Sequence, residues 1–291
     1  MYTQIASNKR KSLFLVFGFV VLVGVLDYVF ARAFNQPSFF VPIMIVAIIY
    51  ALISYFFSAQ IALGLSGAQP IEKKDNPELY RTVENLTIAA GLPMPKVYVV
   101  DDPSPNAFAT GRDPQHAVVC VTTGILPLLE KDELEGVIAH ELSHVGNYDI
   151  RFMAIVVALV SVVAVVSDLF LRISFWSRDD REEGNQLFII LGIVGAILAP
   201  IVAALIQFAV SRQREYLADA SGALLTRYPE GLASALQKIS KNPTPMQHAN
   251  SATSPLYISN PLKGRSLAGL FDTHPPIEDR IKRLLEMEIH Q

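Results

Sequence analysis

The sequence predicts an α+β membrane protein: four transmembrane helices in two hairpins, joined to a mainly helical polar portion built around a small β-sheet. Three observations point there. The composition is 51% hydrophobic and only 18% charged, with a mean hydropathy of +0.35, too apolar for an ordinary soluble domain. Four apolar runs approach the roughly 20 residues needed to cross a hydrocarbon core: Ser12–Ala31, Phe39–Phe57, Phe152–Leu171 and Leu187–Val210. The segments between and after them change period, from helix-like to strand-like and back.

The first two runs form a hairpin around "RAFNQPS", and the last two another around "RISFWSRDDREEGNQ". Lys9, Arg10 and Lys11 ahead of the first run, with Ala31-Arg32-Ala33 after it, also fit a cleaved signal peptide. The length of the run, and Asp27 and Tyr28 near its end, favour an uncleaved anchor. Of the 24 Lys and Arg residues, only Arg32, Arg172, Arg178 and Arg181 fall on one side of such a layout. The excess of positive charge places both termini and the long polar segments in the cytoplasm. The expected organisation is a membrane hairpin over 1–60, a first polar part over 61–151, a second hairpin over 152–210 and a second polar part over 211–291.

In the first polar part, "NPELYRTVENLTIAAGLPMP" repeats apolar residues at helical spacing and ends at Gly91 before prolines. "KVYVVDD" and "AVVCVTTGI" read as strands, and "NAFATG" as a short third one, an exposed edge. A helix begins near Asp132, with Glu133 and Glu135 complementing its N-terminal dipole, and runs through Ile138, Leu142 and Val145 to Gly146-Asn147. After the fourth run, "SRQREYLADASGALLTR" keeps helical periodicity and can continue the membrane helix. "YPEGLASALQKISK" and "PPIEDRIKRLLEMEI" are two further helices with proline near the first turn, and Asn242–Pro261 reads as a loop. Cys120 is the only cysteine, so no intramolecular disulfide and no thiolate metal cluster can form. A net charge of −3 gives no footprint for nucleic acid.

The helix from Asp132 carries His140-Glu141-Leu142-Ser143-His144. Two histidines four residues apart project from one helical face, as two nitrogen ligands of tetrahedral zinc require. Glu141 can reach a metal-bound water without binding the metal, and so serve as general base. A catalytic zinc needs a third protein ligand. Asp149 lies nearby, and Glu215 in "REYLAD" is the better candidate. Asp219, one turn beyond Glu215, can accept a hydrogen bond from the outer nitrogen of a ligating histidine. Alternatively, Glu215 and Asp219 are solvated partners of Arg212 and Arg214.

"HELSH", "SRQREYLADASGA", "THPPIEDRI" and "NAFATG", with two membrane hairpins, closely resemble the HtpX family of bacterial membrane-embedded zinc metalloproteases, relatives of the enzymes that process prenylated CAAX proteins. The resemblance covers essentially the whole chain. It implies a gluzincin-type fold, one zinc ion held by His140, His144 and Glu215, and Glu141 as the general base. It also implies quality control of misfolded membrane proteins under stress, at the cytoplasmic face of the bacterial inner membrane. His274 is the candidate to stabilise the transition-state oxyanion, with Tyr216 and Arg212 behind it; a helix-capping role is the alternative. Asn106, Ala107, Phe108 and Ala109 are the candidate edge to which an extended substrate adds.

Three other functions compete. A transporter or scaffold with a structural metal would use charges within the bilayer, but Asp27 and Asp168 each fall in the last third of a run, where interface placement is cheap. A non-cleaving relative would have no need of Glu141. A CAAX-type processing enzyme shares the motifs, and the short four-span layout fits quality control better. At about 1.5 Å per helical residue, His144 lies at most about 12 Å from the run that begins at Phe152, so the chemistry is expected at the membrane surface.

Overall fold

The computed structural model describes residues 40–160, 212–247, 253–261 and 275–287, with scattered positions between 6 and 28. The fourth apolar run, most of the third and His274 lie outside the described residues. The chain forms α1 (Phe40–Phe56), α2 (Ser58–Ser66), β1 (Gln69–Pro70), α3 (Pro77–Ala90), β2 (Lys96–Val100), β3 (Ala107–Thr110), β4 (Val118–Thr122), α4 (Lys131–Gly146), α5 (Arg212–Thr226), α6 (Pro229–Lys241) and α7 (Ile277–Leu285). Residues 149–160 are helical as well. It is thus mainly helical with one small mixed sheet, as its periodicity predicts.

α1 presents Ile45, Val46, Ile49, Leu52 and Ile53 outward, each about half exposed. Among the described residues no single helix is long and apolar enough to cross a membrane. The segments Ile45–Phe56 and Ser58–Ser66 meet that test only together, bent by 70° at the break. α2 then turns under the sheet, where Ala59, Ala62 and Leu63 pack with Phe108, Cys120 and Tyr257. Cys120 is a buried hydrophobe, as its β-rich context predicts.

Local chemistry sets the element ends. The Asn76 side chain caps α3 by accepting from the Leu79 N–H at 3.0 Å, Pro77 supplies the first turn, and Gly91 closes the helix at φ 64°. At the start of α4, Glu133 reaches back to the Glu130 N–H at 2.8 Å. The four strands lie in the order β1-β2-β4-β3, with β2 and β4 parallel and the outer pairs antiparallel. β1 escapes the sequence reading because two residues carry no period.

α4 is the centre of the fold. Val137, Ile138, Leu142 and Val145 join the core shared with the sheet, α3, α6 and α7. Glycines let its neighbours approach. A Cβ on Gly222 of α5 would lie 2.9 Å from the His140 backbone nitrogen, and one on Gly136 would lie 2.7 Å from the Leu232 nitrogen of α6. The segment from Asn242 to Pro261, expected as a plain loop, instead holds a turn at Ser254–Leu256 and a β-bridge from Tyr257 to Phe108. Its Met246, Leu256, Tyr257 and Ile258 are buried, which anchors a polar-looking stretch by a few apolar side chains.

Candidate metal centre

The two histidines of α4 stand one turn apart with their rings edge to face, centroids 4.8 Å apart. Their Nε2 atoms face each other at 3.2 Å. α5, held close by Gly222, brings Glu215 to both: Oε1 lies 3.6 Å from His144 Nε2, and Oε2 lies 3.8 Å from His140 Nε2. These ligand atoms all fall within 4.8 Å of one another. Nitrogen ligands at about 2.0–2.1 Å from a tetrahedral metal sit roughly 3.3 Å apart, so a metal ion fits between these donors after small side-chain adjustments.

Each histidine is oriented by a carboxylate on its other nitrogen. His140 Nδ1 is 2.9 Å from Asp219 Oδ1, and His144 Nδ1 is 3.0 Å from Asp149 Oδ2. The Nδ1–H then donates to the carboxylate and leaves the Nε2 lone pair for a metal. Asp149 reaches His144 because the chain breaks at Asn147-Tyr148, where Tyr148 adopts φ 60° and folds the next helix back. Asp219 is clamped in turn by Arg280 of α7, whose Nε and Nη2 donate to its two oxygens at 2.9 and 2.6 Å. Arg280 is fully buried; its Nη1 donates to the Ile258 carbonyl at 3.2 Å and lies 3.7 Å from Glu215. Burial alone would raise the Asp219 carboxyl, yet the Arg280 charge holds it below the ordinary range.

Among the described residues, Glu141, Asp149, Glu215 and Asp219 are buried around the site together with the guanidinium groups of Arg214 and Arg280. Burial works against a charged His144, but its hydrogen bond to Asp149 and the Glu215 charge raise it to about 9. Glu141 is 1% exposed, and among the described residues neither oxygen makes a well-formed hydrogen bond, the Ala109 backbone N–H being the donor that approaches it. Burial, helped by the Glu215 charge and opposed by His144, pushes it up to about 7. A buried carboxylate this poorly partnered normally costs about 1–3 kcal/mol or more. The donor set therefore suits a metal.

The burial of Glu215 and Asp219 rules out their being solvated partners of Arg212 and Arg214. Arg212 is exposed, and Arg214 is the arginine that turns in, stacked 4.6 Å over Phe152 and lining the cleft. Tyr216 is half-buried under Arg283. The expected open edge at Asn106–Ala109 needs correction. β3 is an edge strand, but the chain covers half of it itself: Ile258 N–H donates to the Ala107 carbonyl at 2.9 Å, and Asn106 Nδ2 donates to the Ser259 carbonyl at 2.8 Å. An uncovered edge is an aggregation hazard, and only Ala109 of the four lines the cleft beside Glu141. Sequence reasoning missed Arg280 and the histidine-anchoring role of Asp149. Arg280 left one signal, a lone charge on the apolar stripe Ile277, Ile281, Leu284.

Residues 73–288 match peptidase family M48. A protein named "Protease HtpX homolog" from Tropheryma whipplei (strain Twist) is 52% identical over 288 residues, covering 99% of this chain and 98% of its own. One of the same name from Dictyoglomus thermophilum is 48% identical over 287 residues, covering 98% of this chain and 94% of its own. Among solved structures, the crystal structure of S. mikatae Ste24p shares the fold with a TM-score of 0.52 at 21% identity. The match covers 98% of this chain and 66% of that one. The chain therefore belongs to peptidase family M48, as an HtpX-like membrane metalloendopeptidase.

Proposed function

We propose that this endopeptidase uses zinc, held by His140, His144 and Glu215, to cut misfolded or damaged membrane proteins at the cytoplasmic face of the bacterial inner membrane. The observation that carries the reading is the juxtaposition of three donors within 4.8 Å with the buried carboxyl of Glu141. When bound there, zinc supplies Lewis acidity, polarising the scissile carbonyl and lowering the pKa of water. Glu141 accepts the proton of the attacking water and returns it to the leaving amine. Asp219 and Asp149 hold the imidazoles in the tautomer that ligates. Ala109, at the open end of β3, offers its backbone to an extended chain, and His274 supplies oxyanion stabilisation.

The membrane organisation belongs to the same proposal: four spanning helices in two hairpins, over 1–60 and 152–210, with the catalytic parts 61–151 and 211–291 on one side. The outward apolar face of α1 supports it. So does the distribution of Lys and Arg, of which 17 of the 24 fall in the polar parts and three more directly precede the first run. The test is purification in detergent with a chelator, followed by zinc. Wild type regains cleavage of an unfolded polypeptide, whereas Glu141→Gln binds zinc and loses about 10²–10⁴-fold in rate. Zinc-dependent cleavage at wild-type rate by Glu141→Gln would overturn the mechanism.

A further inference from the structure

Asp149 has two oxygens and two duties. Oδ2 accepts from His144 Nδ1 at 3.0 Å. Oδ1 accepts at 2.7 Å from the side-chain amide of Asn8, a residue 141 positions away near the start of the chain. The same Asn8 Nδ2 donates to the Asn147 carbonyl at 3.2 Å, where α4 ends. Asn8 is 3% exposed, although it directly precedes Lys9, Arg10 and Lys11 and the first apolar run. A buried amide this close to a cationic, membrane-proximal stretch is placed there by its partners.

We propose that Asn8 is a positioning residue of the metal centre, which makes the N-terminal segment part of the active site. The inference rests on reading His144 as a metal ligand. The link runs from Asn8 to Asp149 to His144. The amide fixes Oδ1, so that Oδ2 stays on the imidazole N–H and Nε2 stays aimed at the ligand cluster. Arg214, whose Nε is 3.9 Å from Oδ1, is the group that would draw the carboxylate away once the amide is gone. A neutral donor suits the task. It orients Asp149 without cancelling the negative charge that keeps His144 a strong ligand. By also holding the Asn147 carbonyl, Asn8 ties down the turn at Tyr148 that brings Asp149 into place.

The test uses the full-length protein in detergent. Zinc affinity is measured by competition with a chromophoric chelator, and the visible spectrum is taken after cobalt substitution, which reads ligand geometry directly. Melting of the metal-free protein is recorded alongside. Removal of a group that orients a ligand costs about 10–100-fold in metal affinity. Asn8 acts one bond further out, so Asn8→Ala should bind zinc about tenfold more weakly and shift the cobalt bands. Asn8→Asp, isosteric but repelled by Asp149, should lose more. Asn76→Ala, which removes the cap of α3 far from the ligands, should lower the melting temperature and leave both metal readouts unchanged. Wild-type zinc affinity and cobalt spectrum in both Asn8 variants, even with a lowered melting temperature, would overturn the inference. Failure of the underlying reading looks different: His144→Ala would then bind zinc as wild type does.

Discussion

Replacing Gly222 by alanine tests how tightly the fold couples helix packing to metal binding. Its Cβ would lie 2.9 Å from the His140 nitrogen and 3.1 Å from Ala139 C and His140 Cα, all backbone atoms that cannot rotate away. Ordinary contacts need about 3.5–4.0 Å, so α4 and α5 must separate by roughly 0.5–1 Å at this point. His140 and His144 ride on one of these helices and Glu215 on the other, two turns from Gly222. Metal sites tolerate about 0.2 Å in ligand distances, so the separation exceeds what the site can absorb. Overpacking of this kind costs about 1–3 kcal/mol. If half of that appears as lost ligation, zinc binding weakens about 2–12-fold, at 1.4 kcal/mol per decade. Chelator competition measures this, and cleavage at saturating zinc measures the residual rate. Gly146→Ala is the control, because its Cβ would meet only the Leu92 methyls at 3.8 Å on the same α4 helix. Wild-type zinc affinity in Gly222→Ala would refute the coupling.

Further outcomes follow from the same contacts. Arg280→Met strips buried Asp219 of its ionic partner and leaves it the contact with His140, and breaking a buried ion pair costs about 3–5 kcal/mol; thermal melting should show the loss, together with weakened zinc binding through His140. Arg280→Lys keeps the charge but not the two-pronged contact, so it should fall between wild type and Arg280→Met in both assays. Burial tends to raise Glu133, but donors from Lys238 at 2.7 Å, Ser234 at 2.5 Å and the Glu130 N–H hold it below the ordinary range. A carboxyl lowered by folding contributes stability above its unfolded pKa and loses it as pH falls through the folded value. Denaturant melts of wild type should therefore weaken more steeply on acidification than those of Glu133→Gln. Equal pH dependence in the two proteins would count against the role given to that contact. Tyr257→Phe removes the 2.9 Å contact with Ser66 between α2 and the cleft wall and should cost about 1 kcal/mol in melts.

Local signals reached the donor cluster of His140, His144 and Glu215 but not what aims it. His140, Glu141 and His144 sit within five consecutive residues on one helix, where periodicity alone fixes their common face. Glu215 and Asp219 repeat that logic on α5. What the sequence hides is set by distance along the chain. Arg280 meets Asp219 across 61 positions, and Asn8 meets Asp149 across 141; no periodic pattern spans such gaps. The edge strand shows the opposite failure. "NAFATG" was legible as a strand, but its covering partner, Tyr257 to Ser259, lies in a stretch without repeating apolar spacing. Its burial depends on Phe108 and Tyr257 meeting edge to face at 4.9 Å, a pairing that exists only once the sheet has formed.

These long-range contacts converge on one design. The candidate ligands His140, His144 and Glu215 come from two helices pressed together through a glycine, and each imidazole has its own carboxylate. Each carboxylate is then fixed by a group from a chain terminus: Arg280 near the C-terminal end and Asn8 near the N-terminal end. One arm is a buried ion pair and the other a neutral amide, and neither should respond much to salt. Screening acts on exposed charges over about 8–10 Å and only weakly on buried pairs. Added salt should therefore leave both arms intact while weakening surface pairs such as Lys74 with Glu72, whose side chains are about three-quarters exposed. Zinc affinity measured from low to high salt would then stay nearly flat while melting temperature drifts. A steep fall in affinity with salt would mean that solvent reaches the clamps and that the site opens more than its burial implies.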